Sequence, residues 1–314
     1  MNLKDLKYII AVAETRHFGH AAERCFVSQP TLSGQIKKLE QELGVIIFER
    51  TNRSVEVTPI GQDIIDHAYL TIEQTEAIKQ LALSHQDPLA GPLRIGAIPT
   101  LSPYLMPLIL MPLRRRHPQL KLVLSEEMTD TLLQRLHNHE IDAALLATSV
   151  EEHDLESVPL FNEPFWLAHP RQHWFYNRED ISRDDLDNTE MLLLSEGHCL
   201  ARQAMDICHL AERQQQGDMA DLRASSLETL LQLVGAGFGS TLVPALALRG
   251  SWTTDSGVVA RKLDIPEAFR QVSIVFRPSF PRQQALQAFS QIIMDNLPNT
   301  VQPVKSASFD AQPL

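Results

Sequence analysis

FGHAAERCFVSQPTLSGQIKKLEQELGVIIFERTNRSVEVTPIG, residues 18–61, decides how the chain begins. Gly19 to Cys25 is rich in small residues, and Ala21 and Ala22 allow close helix packing. Val27 and Ser28 then make a tight turn. Ser28 can cap a following helix whose first turn accepts Pro30. Leu32, Ile36, Leu39 and Leu43 recur at three- and four-residue steps, the spacing of a buried stripe, and Gly44 ends the helix. Pro30, Ser33 and Lys37 lie on a different stripe, small, polar and basic, with no acid between Cys25 and Leu39. A helix with such a face fits the major groove of a DNA duplex, where it can approach base edges closely. Phe48 to Thr58 alternates around Thr51-Asn52-Arg53, as a two-stranded wing does. Arg50 and Arg53 sit at its tip, where phosphate contacts are expected.

Toward the N-terminus, Asn2 can cap a first helix carrying Leu3, Leu6, Ile9, Ile10 and Ala13 on one face. Residues 1–58 are therefore predicted to be a winged helix-turn-helix domain that binds double-stranded DNA. In the other direction Pro59 opens a helical pattern to about Ser84. Ile64, Ala68, Ile72, Thr75, Ile78 and Ala82 form one apolar seam on it, which predicts pairing with a second copy of the chain. DPLAGP (87–92) is rich in helix breakers, so 59–90 reads as a dimerisation helix and hinge.

From Leu93 strands and helices alternate. LRIGAI (93–98), KLVLSE (121–126) and DAALLA (142–147) are predicted strands, separated by helices at 104–116 and 131–138. A second α/β unit starts near Phe165. The strand 273–277 and the helix 282–297 return to the first, so 91–297 is expected to form two lobes around a cleft. Residues 298–314 are polar and contain proline, and are expected to be a disordered tail.

Composition narrows the class. The chain has 314 residues, 44% hydrophobic and 21% charged, as a globular protein of about two domains does. No apolar run reaches the roughly 18 residues of a membrane span, and the start does not resemble a signal peptide. Three cysteines are too few for a secreted disulfide framework. A cytoplasmic location follows. The net charge of −11 argues against DNA only until it is divided. Residues 1–58 carry eight Lys/Arg against seven Asp/Glu, whereas 59–314 carry 20 against 32.

Cys199 and Cys208 are nine positions apart. On one helix they would be separated by about 13 Å, whereas a disulfide needs Cα atoms within roughly 4.4–6.8 Å. Bonding them requires the segment between them to refold. Cys199 precedes an apparent helix, whose first amides are expected to lower a thiol pKa. His198 and Arg202 add nearby positive field. On spacing alone, two buried structural cysteines are the commoner case, since intracellular cysteines are mostly buried small hydrophobes.

Residues 18–61 resemble the winged helix-turn-helix of LysR-type transcriptional regulators, and the resemblance continues to about residue 297. Four stretches resemble the peroxide-sensing branch of that family: GAIPTLSPYLMP (96–107), EEMTDTLL (126–133), EGHCLARQAMDIC (196–208) and RASSLETL (223–230). The resemblance implies an α/β architecture, with a two-lobed regulatory domain of periplasmic-binding-protein type after the head and linker helix. It implies that hydrogen peroxide oxidises Cys199 and that Cys208 resolves the product as a disulfide, activating oxidative-stress genes. Thr100, Thr129 and His198 match a polar peroxide-holding site. Ser28, Gln29, Pro30, Thr31, Ser33 and Lys37 are the expected base readers, Arg50 and Arg53 the phosphate contacts, and Ile64, Ala68, Ile72 and Ile78 the dimerisation seam. The expected partners are a roughly palindromic operator, a homodimer or homotetramer, and RNA polymerase.

Two positions depart from the family pattern. Ala201 stands two residues after Cys199, where the family often has arginine, which here falls at 202. Asp221 stands where some members have histidine. Cys25 is read as a packing residue. The alternative function is a LysR-type regulator whose cleft takes a small metabolite, the cysteines being structural. An enzyme is a third class, but no phosphate loop, dinucleotide fingerprint, serine elbow or metal-ligand cluster is evident, and neither cofactor nor metal is expected.

Overall fold

A computed structural model describes residues 1–50, 55–84, 89–187, 189–208, 223–249 and 257–304. The chain divides into two compact units, Met1–Gln86 and Asp87–Leu314. No helix among the described residues is long and apolar enough to cross a membrane.

In the first unit α1 (Leu3–Thr15) begins with a capping box. The Asn2 side chain accepts from the amides of Lys4 and Asp5, and Asp5 accepts from the Asn2 amide. After α2 (Phe18–Arg24), α3 (Gln29–Leu43) is capped by Ser28 and stopped by Gly44 at φ +71°. Leu32, Ile36 and Leu39 are buried beside Ile9, Val12 and Ala21, whereas Leu43, expected in that stripe, is exposed. Strands β1 (Phe48–Arg50) and β2 (Val55–Val57) pair antiparallel as the wing, and α4 (Pro59–Ser84) follows. Cys25 packs against the core of this unit.

The seam of α4 corrects the expectation of a free dimerisation face. Ala68 is buried in the head's own core, and Ile64 and Ile72 pack against it, because α1 lies along this part of α4. Of the four seam positions, Ile78 is the exposed one, at 66%. The long helix therefore begins as part of the head and not as a separate domain.

The second unit opens with β3 (Gly91–Ala97), α5 (Ser102–Arg116), β4 (Leu120–Glu126), α6 (Thr129–His137) and β5 (Ala143–Leu146). β3 lies between β4 and β5 and runs parallel to both, as predicted. The long strand β6 (Glu156–Pro170) leads into the second lobe. There β7 (Asp180–Ile181), α7 (Arg183–Asp187), β8 (Leu193–Leu194), α8 (Cys199–Ile207), β9 (Arg223–Ala224), α9 (Leu227–Gly235), β10 (Thr241–Pro244) and β11 (Val258–Leu263) follow. β12 (Phe269–Phe276) and α10 (Gln283–Asp295) return to the first lobe.

The main sheet has the order β4-β3-β5-β12-β6-β11-β7. β12 is antiparallel to both β5 and β6, so the sheet is mixed. β6 is the spine between the lobes. Its first part pairs with β12, and its last residues pair with β10 and β11. Each lobe has its own core, one around Ile95, Leu145, Phe276 and Phe289, the other around Phe165, Phe175, Leu231 and Val243.

The chain end also differs from expectation. Val301 is buried, β13 (Gln302–Pro303) pairs with β6, and the Val304 amide donates to the Leu160 carbonyl at 2.9 Å. An apolar Val301 beside unsatisfied strand edges favours pairing there over a solvated tail. Residues 305–314 lie outside the described residues.

Candidate functional site

On the head, Ser28 Oγ accepts from the Thr31 amide at 3.3 Å and pairs with its hydroxyl at 2.8 Å. Ser28, Gln29, Pro30, Thr31 and Lys37 are exposed, and Ser33 is half-buried. Arg50 is not held out at the wing tip. It donates to Ser33 Oγ at 2.8 Å, faces Glu40 at 3.7 Å, and lies 4.1 Å over the Phe18 ring. The stacking surface and the carboxylate explain why it leans back on α3. Glu40 also accepts from the Ile47 and Phe48 amides, which fixes the start of the wing against the helix. Arg53 lies outside the described residues.

The thiol pocket is assembled from both lobes. Cys199 is the first residue of α8, after His198. It is carried by the second lobe, where Leu200, Ala201 and Ala204 anchor α8, yet its side chain packs against the core of the first lobe. Arg270, on β12, is fully buried. It donates from Nη1 to Thr100 Oγ1 at 2.9 Å, from Nη2 to the Thr100 carbonyl at 2.9 Å, and from Nε to Glu163 at 2.9 Å. Glu163, on β6, has no exposed surface and accepts from the Leu246 amide at 2.7 Å. The charge pair is thus buried and multiply bonded, as it must be in a low-dielectric interior.

These groups act on the Cys199 sulfur in opposite directions. Burial pushes its pKa up. The Arg270 charge, the amides of Leu200 and Cys199 and the Thr100 hydroxyl pull it down, and burial outweighs them. This reverses the expectation of a lowered pKa, because the helix amides act on a sulfur removed from water. The resting group is a thiol with donors already aimed at its sulfur.

His198 is buried, with Nε2 3.1 Å from the Ser225 carbonyl. Thr129, at the start of α6, lines the same cleft, and its buried hydroxyl has no hydrogen-bond partner among the described residues. Thr100, His198 and Thr129 therefore border Cys199 or its cleft. Cys208 is fully buried in the second lobe, at the other end of α8. The single helix between the cysteines puts them about 13 Å apart at 1.5 Å per residue. No disulfide joins them in this structure.

Ala201 faces the core of the second lobe, whereas Arg202 is exposed and lines the cleft beside Cys199. The displaced arginine therefore still borders the cleft. Asp221 lies outside the described residues. The cleft has a volume of about 1080 Å3. Gln203 Nε2, on α8, donates across it to the Ala147 carbonyl at 2.7 Å, and outside its lining a second bond joins the lobes, from Tyr104, on α5, to Glu228, on α9, at 2.7 Å. Burial and the Glu228 carboxylate hold the Tyr104 phenol far above its ordinary pKa, so it remains the donor.

Near the cleft, His137 faces Glu152 at 2.6 Å and Asp154 at 3.0 Å. The carboxylates meet opposite ring nitrogens, and one ligand atom from each of the three residues lies within 4.8 Å of the others.

The helix-turn-helix at residues 3–62 matches the bacterial regulatory helix-turn-helix of the lysR family, and residues 86–298 match the LysR substrate binding domain. The chain belongs to the LysR family. Among LysR relatives, it is 42% identical to the DNA-binding transcriptional dual regulator OxyR of Escherichia coli K12, over 93% of this chain and 95% of that one. It is 41% identical to the hydrogen peroxide-inducible genes activator of Pectobacterium carotovorum, over 95% and 97%. Among solved LysR structures, full-length OxyR from Pseudomonas aeruginosa, with one cysteine replaced by aspartate, matches at a TM-score of 0.79 and 37% identity, covering 98% of both chains. A hydrogen-peroxide-bound cysteine variant of OxyR from Corynebacterium glutamicum matches at 0.64 and 34%, covering 94% and 92%.

Sequence reading missed Arg270 and Glu163. The signal was present. Each is the one charged residue in a largely apolar stretch, FRQVSIVF (269–276) and LFNEPFWLA (160–168), and the two are cross-strand partners. Gln203 and Tyr104 left no such mark, because a polar residue on an amphipathic helix looks like any solvated one.

Proposed function

We propose that this LysR-family chain is a peroxide-responsive transcription regulator whose switch is the Cys199–Cys208 pair. The observation that carries the reading is a thiol set among Thr100, Arg270 and helix amides, with a second thiol on the same helix out of bonding reach. The Cys199 thiolate attacks one oxygen of hydrogen peroxide, the O–O bond breaks, and the departing hydroxide takes a proton to leave as water. Cys199 becomes a sulfenic acid. Cys208 then displaces that hydroxyl as a second water, and a disulfide forms. Thr100 donates to the reacting sulfur, while Thr129 and His198 offer hydrogen bonds to the peroxide.

The disulfide demands that α8 unwind and that Cys208 leave its core, which converts two-electron chemistry into a change in the second lobe. Repositioned subunits then alter how a homodimer or homotetramer presents its heads to a roughly palindromic operator. Ser28, Gln29, Pro30, Thr31, Ser33 and Lys37 read or approach bases. Arg50 braces the wing on α3, and Arg53 meets phosphate. The oxidised form activates oxidative-stress genes with RNA polymerase as partner, in the cytoplasm, without catalytic turnover. The test is promoter activation after peroxide in cells carrying the wild-type chain or Cys199→Ser. Loss of induction with protein level unchanged is the expected result, and equal induction overturns the reading.

A second reading rests on the cleft, whose 1080 Å3 far exceeds a peroxide molecule. In it a small metabolite fills the cleft and the cysteines are structural. Regulation that persists in the doubly substituted Cys199→Ser/Cys208→Ser chain selects this reading.

A further inference from the structure

The turn before α3 holds a residue that its fold would not choose. Phe26 has φ +55°, in the left-handed region that glycine and asparagine occupy with less strain. It is also 96% exposed, the most exposed large apolar side chain among the described residues. The backbone around it is fixed: its amide donates to the Glu23 carbonyl at 3.1 Å, and the Val27 amide donates to the Ala22 carbonyl at 3.0 Å. On either side, Cys25 and Val27 pack against the head's core. The ring is thus displayed by a rigid turn. Folding gains nothing from it, since a glycine would relieve the backbone and an asparagine would suit both backbone and solvent. A residue that breaks two local rules without a compensating contact is best explained by a contact made elsewhere.

Its position indicates where. Phe26 lies two residues before the Ser28 cap, at the end of α3 that carries exposed Ser28, Gln29, Pro30 and Thr31. A phenyl ring has no donor or acceptor, so it cannot read a polar base edge or hold a phosphate. What the major groove offers an apolar side chain is the 5-methyl group of thymine. We propose that Phe26 is a specificity-determining residue that packs on a thymine methyl at the edge of the half-site, beyond the bases read by α3. This rests on the DNA-binding reading above.

The test uses the full chain and an operator selected from random duplexes by the wild-type protein. Binding is measured by fluorescence anisotropy to that operator and to copies in which single thymines are replaced by uracil, which removes only the methyl. For the wild type, one uracil position per half-site should weaken binding several-fold. Phe26→Gly and Phe26→Asn should each bind the intact operator about tenfold more weakly and lose nothing further at that position. Both variants should melt at or above the wild-type temperature, which separates the effect from misfolding. The inference is overturned if the variants bind as tightly as the wild type, or if uracil weakens all three proteins alike. A wild-type chain that selects no duplex overturns the DNA-binding reading itself, and this inference with it.

Discussion

The guanidinium of Arg270 donates to the Thr100 hydroxyl and carbonyl, both at 2.9 Å. A guanidinium cannot accept, so the hydroxyl oxygen of Thr100 is the acceptor and its own proton is left to point elsewhere. The Cys199 sulfur accepts a hydrogen bond from it, as the lowering effect of Thr100 on the Cys199 pKa indicates. One buried charge on β12 thereby sets a hydrogen bond on α8.

Thr100→Val keeps the volume and removes the relay. Cys199 oxidation should slow by about tenfold, the value of one hydrogen bond, and the fold should lose about 1–3 kcal/mol because an Arg270 donor is left unpaired. Stopped-flow kinetics and denaturant melts read the two effects separately. An unchanged rate would remove Thr100 from the mechanism.

The pH dependence follows from the direction of the Cys199 shift. Its pKa lies above the ordinary thiol value of 9.0, mainly through burial. Thiolate is therefore the minor form throughout the neutral range, and its fraction rises about tenfold per pH unit below the pKa. The rate constant with peroxide should climb with that slope from pH 6 to 8. A plateau below pH 8 would mean that a thiolate is already present.

The cross-lobe bond from Gln203 to Ala147 exists only while α8 is helical and seated. Gln203→Ala removes it, which destabilises the reduced fold relative to the disulfide form. With about 1 kcal/mol for the bond, the reduction potential should fall by about 20 mV. Equilibration against a thiol–disulfide buffer measures this, and a potential shifted upward would contradict it.

On α4, Ala68 and Ile78 should separate stability from assembly. Ala68→Asp puts a charge into the head's core and should lower its melting temperature sharply. Ile78→Asp changes an exposed position and should leave melting unchanged while shifting sedimentation toward the monomer. An unshifted assembly with Ile78→Asp would remove that residue from the subunit contact.

Much of this was legible in the chain itself. The caps at Asn2 and Ser28, the stop at Gly44 and the stripe Leu32-Ile36-Leu39 stand in the structure as read, because local hydrogen bonding and periodicity determine them. The cysteine argument depended only on helical rise, and α8 is continuous between the two residues. What escaped were consequences of tertiary packing. The seam of α4 is real, yet periodicity does not say what covers it, and here α1 covers part. Arg50 was placed by its position in a hairpin, but Phe18 and Glu40 come from elsewhere in the chain. The Cys199 shift was read from the helix terminus and the neighbouring His198 and Arg202, while the burial that reverses it comes from the opposite lobe.

The measurement that tests the central claim most directly is peptide mapping by mass spectrometry of the full-length reduced protein after stoichiometric hydrogen peroxide, with free thiols trapped. A Cys199–Cys208 disulfide formed within minutes, leaving Cys25 reduced and reversing with a thiol reductant, is the predicted result. Thiols at both positions that stay reduced in excess peroxide would contradict the switch.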